Sequence, residues 1–497
     1  MAVIFIEGFD KYGPVATVSA NVAAALTAGE WTTAPAGVFN IVAGLSSTGY
    51  AMQIAYAGTQ AQLVKTFAST WTRWIGGIRF SSTLGTNAGI GFASNGTQAS
   101  TITINTTGAI SLRTGTSTGT ALSTSSSTVS ANSTHYLEWD ITFGASSSYQ
   151  VWLDGVSIFS GTGNTANGVS SVNQFNFFGA ATCTIQWDDL YLFDSTTGTN
   201  NAVLNTNPRI ETQSPTADSS VQFSVGAAIL GSAYQATSSV TSIGAGSFIL
   251  RGYTAAVGCV LNSVSMVPTT TSGSAKFKSC VYADSSGVPG SLLATGTEVV
   301  GCTSGTTLTS SFSSPPSLSA STKYWIGFIN DTAINLQMSD THNLGCSKTN
   351  TYASGPPNPA GTMTFSQGSY LIWGNVSSTG ANYYEVDINP PPGDLSYVAS
   401  STVSNEDLYS FAALSTTPQN IYTMAVKGYI RKSDTGARTV SVVTSSSGSS
   451  STGSNSGVTP ATSYAWIDSF FDTDPHTSAA WTQTGLNAAT SGVEVAS

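Results

Sequence analysis

The chain has 497 residues and a net charge of −10, with charged residues at only 8%, against roughly 25% in an average soluble protein. The 40% hydrophobic fraction supplies real cores and argues against disorder, which needs low hydrophobicity with high net charge. Fifteen Lys and Arg spread thinly form no basic stripe, so nucleic acid is excluded as an expected partner.

The opening MAVIFIEGFDKYG has no basic stretch and too short an apolar run for a signal peptide. No run near 20 apolar residues marks a membrane span, so membrane insertion is not expected. Helical periodicity is nearly absent. Short runs rich in Val, Ile, Thr, Tyr, Phe and Trp recur instead, divided by Gly/Ser/Asn turns, as in sandwiches and jelly rolls.

Residues 1–196 read as one unit. Its strands are expected at Val3–Glu7, Tyr50–Ala55, Arg73–Phe80, Ala88–Ala93, Thr101–Asn105, Ile110–Arg113 and within Gln174–Phe193. Ser123–Ser133 reads as a polar loop. Residues 197–246 are turn-rich and read as a linker or extended arm. A β-sandwich over 247–377 follows, carried by LNSVSMVP, KFKSCVYAD and KYWIGFIND. A C-terminal β domain over 378–497 opens with Pro390–Pro392, which cannot join a central strand. It continues through YTMAVKGYIRK and RTVSVVTSS, with a loop expected over 445–457. The fold class is therefore all-β.

Two acids two residues apart are the candidates for chemistry. In LEWDITF, Leu137, Trp139, Ile141 and Phe143 share one face and Glu138, Asp140 and Thr142 the other. The first set is the expected core. Glu138 and Asp140 project from one side roughly 7 Å apart, a separation compatible with a glycosidase pair. They read instead as solvated acids on an outer sheet face, and no catalytic residue is assigned. Asp154-Gly155 falls where a hairpin needs a turn with positive φ.

His135, His342 and His476 lack metal-ligand spacing. No phosphate-binding loop, nucleophile elbow or zinc motif occurs. No cofactor is expected. Asp188 and Asp189 in IQWDDLYLFD suit a structural Ca²⁺ through hard oxygen donors, although turn bonding is the commoner use of such acids. Cys183, Cys259, Cys280, Cys302 and Cys346 are widely spaced and read as small buried hydrophobes, with bridges among the last four left open. The tryptophans read mostly as buried strand residues, and no ligand-binding residue is named.

The stretch YLEWDITFGASSSYQVWLDGVSIFSG, followed by IQWDDLYLFD, resembles the central and closing strands of concanavalin A-like (LamG-like) lectin jelly rolls. IFIEGFDKYG, WDDLYLFDSTTG, PRIETQSPTADSS, EVDINPPPGDLSYVASS with DLYSF and AVKGYIRKSDTGAR, and DTDPHTSAAWTQTGLNAATSGVEVA together resemble a group of tailed-bacteriophage virion proteins. The middle third departs from that group. There KFKSCVYADSSGVPGSLLATG and STKYWIGFIND resemble a small sandwich module of surface-displayed and carbohydrate-associated proteins.

These resemblances imply a non-enzymatic virion structural protein of a tail, fibre or other appendage. Its expected partners are other virion proteins, copies of itself as a homo-oligomer, and host-surface glycans. A capsid decoration or head-fibre protein is the alternative. A polysaccharide depolymerase is a further rival, with Glu138 and Asp140 as its only sensible acids. A secreted bacterial lectin is the last, and the absence of a leader counts against it.

Overall fold

The computed structural model describes residues 3–12, 22–23, 26–27, 30–35, 38–46, 49–55, 62–85, 88–179, 183–194, 202–231, 240–255, 258–340, 345–366, 369–378, 382–387, 391 and 393–497. His342, Pro390 and Pro392 lie outside them. The chain is all-β. It divides into two compact units, one of Met1–Gln213, Ala413–Thr435 and Val442–Ala489, the other of Ser214–Ala412, Gly436–Ser441 and Thr490–Ser497. Residues 378–497 are thus shared between the units.

The first unit contains β1 (Val3–Glu7), β2 (Phe39–Ala43), β3 (Tyr50–Ala55), β4 (Gln62–Trp71), β5 (Arg73–Ser82), β6 (Ala88–Ser94) and β7 (Thr97–Ile104). It continues with β8 (Ala109–Thr114), β9 (Ala121–Thr128), β10 (Thr134–Thr142), β11 (Ser147–Leu153), β12 (Val156–Gly163), β13 (Val172–Phe178) and β14 (Thr184–Asp194). One sheet runs β12-β11-β10-β5-β14-β3-β2, with β1 also on β14; the other runs β4-β13-β6-β7-β8-β9. Strand alternation sends the Trp74, Trp139 and Trp187 rings to the interior. They meet Phe92, Phe175 and Phe177 there, with Trp139 stacked on Phe175 at 6.0 Å and Phe177 on Trp187 at 5.1 Å. Leu137, Ile141 and Phe143 are buried as the alternation of LEWDITF requires. Asp154 and Gly155 take φ of 51° and 79°, the turn that closes β11 onto β12.

Two polar stretches pair where a loop was expected. Within Ser123–Ser133, the strand β9 bonds to β8. Only Ser125 of β9 points inward, so an edge strand forms from backbone bonds without apolar alternation. In 445–457, Ser445 pairs with Ser450 and Ser446 with Ser449. Ser447 and Gly448, at φ of 47° and 81°, supply the two left-handed residues of a tight hairpin turn.

The outer face of the first sheet is covered rather than solvated. Strands Met424–Ile430 and Ala465–Phe471 pair with Tyr429 opposite Trp466 and Lys427 opposite Asp468. They place Ala425 and Phe470 in one apolar cluster with Val3, Ile75, Tyr191 and Phe193. Val203 and Leu204 join that cluster.

In the second unit, one sheet orders Leu308–Ser311, Cys259–Met266, Ile372–Ser378, Ser224–Leu230 and Tyr397–Ala399. A facing sheet orders Val288–Thr295, Ser272–Ser285, Thr322–Asn330, Ser247–Ala255, Gly345–Thr349 and Thr364–Ser366. Leu261, Val264, Met266 and Ile372 meet Ile249, Phe277, Val281 and Ile326 between them. The segment 197–246 is no simple linker: Pro215–Ser220, Ser224–Leu230 and Val240–Ile243 are strands, each with a partner. Ser, Thr and Ala dominate these strands, and pairing with distant sequence decides their state. All five cysteines are unbridged, four of them buried. Among the described residues no helix is long and apolar enough to cross a membrane.

Candidate functional site

The acids singled out in the sequence hold the fold together. Glu138 sits mid-strand on β10, opposite Gly77 of β5 and Trp152 of β11. It has no exposed surface, which corrects its reading as a solvated acid. Residues 202–205 roof it. Glu138 Oε1 accepts hydrogen bonds from the Tyr191 hydroxyl at 2.6 Å and the Asn205 amide at 3.0 Å. A Cβ on Gly77 would come within 2.9 Å of the Glu138 side chain and 2.6 Å of Tyr191, so glycine there makes the room. Burial raises the Glu138 carboxyl above its ordinary range, and the bonds from Tyr191 and Asn205 only partly offset this.

Asp140 is clamped by Arg73, Nε to Oδ1 at 2.7 Å and Nη2 to Oδ2 at 2.6 Å. One acid is sealed and the other held by a guanidinium. Neither is presented to a substrate as a glycosidase pair requires.

Asp188 and Asp189 accept hydrogen bonds from backbone amides and from Arg79. Asp188 Oδ2 accepts from the Leu45 amide and Oδ1 from the Asp189 amide. Asp189 takes the Ile210 amide at 2.8 Å and Arg79 Nε at 2.7 Å. The register of β14 slips between Asp188 and Tyr191, and Asp189 has φ of 51°. This bulge turns both carboxyls towards the loops they pin. Among the described residues no group of three His, Cys, Asp or Glu is placed to hold a metal ion.

These acids carry a pH signature. Burial, with the Asp189 charge adding to it against bonds from Tyr50 and Thr212, raises Asp10 to about 6. Burial and then the Asp189 charge raise Asp188 to about 8. Both lie above the unfolded value of about 3.9. The stability they contribute is complete below about pH 4 and is lost as pH rises, through about 6 for Asp10 and about 8 for Asp188. Lys11, drawn down to about 7 mainly by burial, contributes in the opposite sense, above that pH. Between about pH 5 and pH 7 the aspartates therefore set the slope. The thermal midpoint of the first unit is expected to fall over that interval, and to fall less steeply in Asp188→Asn. A midpoint that climbs from pH 5 to 7 would contradict this assignment.

A cleft opens at a different place. A cleft of about 330 Å³ within the first unit is lined by Thr27, Glu30, Lys65, Tyr429, Tyr464, Ala465, Trp466 and Asp468. Alternation puts Lys427 and Tyr429 on one face of Met424–Ile430, and Trp466 and Asp468 on the matching face of Ala465–Phe471. The rings form a cluster. Tyr429 stacks on Tyr464 at 5.0 Å and 14°, and lies 5.2 Å from Trp466. Lys65 comes from the edge strand β4, its ammonium 4.7 Å from the centre of the Phe5 ring. Burial lowers Lys65 to about 8, with Asp468 working against that shift and Lys427 adding to it.

Beneath the cleft lies a buried ionic network. Glu30 accepts from Lys427 at 2.7 Å and also from Lys11. Lys11 reaches Glu7 at 2.9 Å. Lys427 donates to the Ile6 carbonyl at 3.1 Å. Burial alone would raise Glu7, but Lys11 and Lys427 outweigh it and hold the carboxyl low.

The sequence reading recognised the strand in AVKGYIRK but not its face. The i, i+2 placement of Tyr464, Trp466 and Asp468, repeated by Lys427, Tyr429 and Arg431, was the available signal. The approach of Thr27, Glu30 and Lys65 is tertiary and leaves no local trace. Most tryptophans are buried as expected, while Trp71, Trp152 and Trp466 are half-buried.

No family model matches the chain, and no curated protein does. Among solved structures, a sialidase aligns at TM-score 0.25 and 10% identity over 32% of this chain, which spans only 17% of that one. An endo-β-1,4-glucuronan lyase from the fungus Trichoderma reesei aligns at TM-score 0.29 and 13% identity, over 39% of this chain and 96% of that one. A carbohydrate-binding module from Bacillus subtilis aligns at TM-score 0.25 and 10% identity, over 33% and 95%. None of these partial likenesses fixes an activity for this chain.

Proposed function

We propose that this chain is a non-enzymatic structural protein of a virion appendage that contacts glycans through the aromatic cleft of its first unit. The observation that carries the non-enzymatic part is the internal use of Glu138, which is sealed under Tyr191 and Asn205. The aromatic and polar lining of the cleft supports contact with a sugar. The virion assignment rests on the resemblance of the terminal segments to tailed-phage virion proteins. It brings with it other virion proteins and further copies of this chain as partners. A place on the capsid is the alternative within the same reading.

Purified protein incubated with bacterial surface polysaccharides is expected to release no new reducing or unsaturated ends. Glu138→Gln should match the wild type in glycan retention. Depolymerisation by the wild type that disappears in Glu138→Gln would overturn the reading. Image reconstruction of particles carrying the protein distinguishes tail from capsid density, and detection only in uninfected culture medium would reject both.

A further inference from the structure

We propose that residues 355–361 form a hinged strap that opens as one piece while the sandwich of the second unit stays folded, baring the apolar outer face of one sheet and the two thiols embedded in it.

That unit carries two cores. The inner one, between the sheets, holds Leu261, Val264, Phe277, Val281 and Ile326. Alternation sends the neighbours of these residues to the other side of the sheet. There Phe248, Leu250, Cys280, Tyr282, Trp325 and Cys346 gather into a separate outer core. The strap covers it with little of its own substance, since Ala360 is its one buried residue.

The strap is held by a few polar ties. Tyr282 donates its hydroxyl to the Pro357 carbonyl at 2.6 Å. The Leu292 amide donates to Asn358 Oδ1 at 3.1 Å, and the Ala360 amide to the Gly290 carbonyl at 3.0 Å. Lys348 reaches the Ala360 carbonyl. Gly355 and Gly361 end the strap at φ of 69° and 72°, where glycine turns without steric cost. Pro356, Pro357 and Pro359 stiffen the stretch between them. Opening breaks these ties and leaves the inner core intact, so it costs less than unfolding the unit.

The two thiols report that opening. Cys280 lies opposite Gly327, Gly327 opposite Leu250, and Leu250 opposite Cys346. Three strand spacings, roughly 14 Å, separate them, beyond the roughly 7 Å that a disulfide spans. Burial raises the Cys280 thiol and pushes Cys346 up to about 12 against the pull of Lys323. Neither offers a thiolate while the strap is closed.

The test alkylates the full native chain with iodoacetamide and follows each cysteine by peptide mass spectrometry. Hydrogen exchange of the Cys259–Met266 amides gauges unfolding of the sandwich itself. Cys302, which is half-buried, is expected to react first. Cys280 and Cys346 should follow at one common rate while the Cys259–Met266 amides are still protected. Tyr282→Phe and Asn358→Ala should each raise both rates by the same factor, about threefold to tenfold, the worth of one hydrogen bond. Exchange of the Cys259–Met266 amides should not change in either variant. Alkylation of the pair no faster than exchange of those amides would show that only unfolding of the sandwich bares them, and would overturn the proposal. Alkylation of one cysteine without the other, or a variant that accelerates only one, would overturn opening as a single piece.

Discussion

Glu30→Ala is expected to destabilise the first unit by about 3–5 kcal/mol, the usual cost of removing one partner from a buried ion network. The Glu30 side chain is 4% exposed, and Lys11 and Lys427 both converge on its Oε2. Without it, two ammonium groups retain Glu7 as their shared counter-ion, and Lys65 adds a third cation close by. Lys11 is already drawn down to about 7, chiefly by burial, so little further burden is needed to neutralise it. Water entering from the cleft replaces the lost partner only in part, because the Lys11 and Glu7 side chains are 11% and 3% exposed. The contrast is Asp140→Ala. Its pair with Arg73 is 30% and 24% exposed, and solvent screening limits its worth to about 1 kcal/mol. Urea midpoints of the two variants would rank them. A Glu30→Ala midpoint no lower than that of Asp140→Ala would show that the network adds nothing to stability. Glu30→Gln should fall between, since an amide oxygen still accepts while the charge is gone.

The jelly roll was legible because period-two alternation is a local signal. Val3–Glu7 and Tyr50–Ala55 run to their expected ends, and the core face of LEWDITF is buried as read. Asp154-Gly155 forms the expected turn for an equally local reason, since few residues accept positive φ twice in succession. Errors arose where one strand face meets something distant in sequence. Glu138 looked like a wet acid because nothing in LEWDITF announces that residues 202–205 will cover it. Ser123–Ser133 and 445–457 looked like loops because runs of hydroxyl side chains show no apolar alternation, although their backbones pair at a sheet edge. The cleft was partly visible, since its aromatics alternate on one hairpin. Its polar half, Lys65 and Glu30, lies several hundred residues away along the chain.

Asp407→Ala is expected to destabilise the second unit by at least about 4 kcal/mol. One buried carboxylate there satisfies four donors, and each orphaned donor costs about 1–3 kcal/mol, less when they share a network. Oδ1 accepts from the Gln222 and Phe223 amides at 2.9 and 3.2 Å. Oδ2 accepts from Asn382 Nδ2 and the Tyr409 hydroxyl, both at 2.7 Å. Asp218 repeats the arrangement on the Asn382 and Tyr383 amides at 2.9 and 2.8 Å. The two acids thus tie residues 222–223, where the chain enters the sandwich, to residues 382–383, where it leaves. A crosslink between the ends of so long a segment removes most of the freedom that would let the sandwich detach from its neck. Burial and the bond to Asp407 also push the Tyr409 phenol upward. In Asp407→Ala that phenol should titrate at lower pH, and limited proteolysis should open near residues 222 and 382 before the sandwich itself is cut. Asp407→Asn keeps one acceptor but turns an amide N–H towards a donor, so its loss should be smaller, about 2 kcal/mol. If Asp407→Ala leaves both the proteolytic pattern and the denaturation midpoint unchanged, the neck is held by strand pairing alone. The pairing of Pro215–Ser220 with Glu406–Phe411 would then be the element to break next.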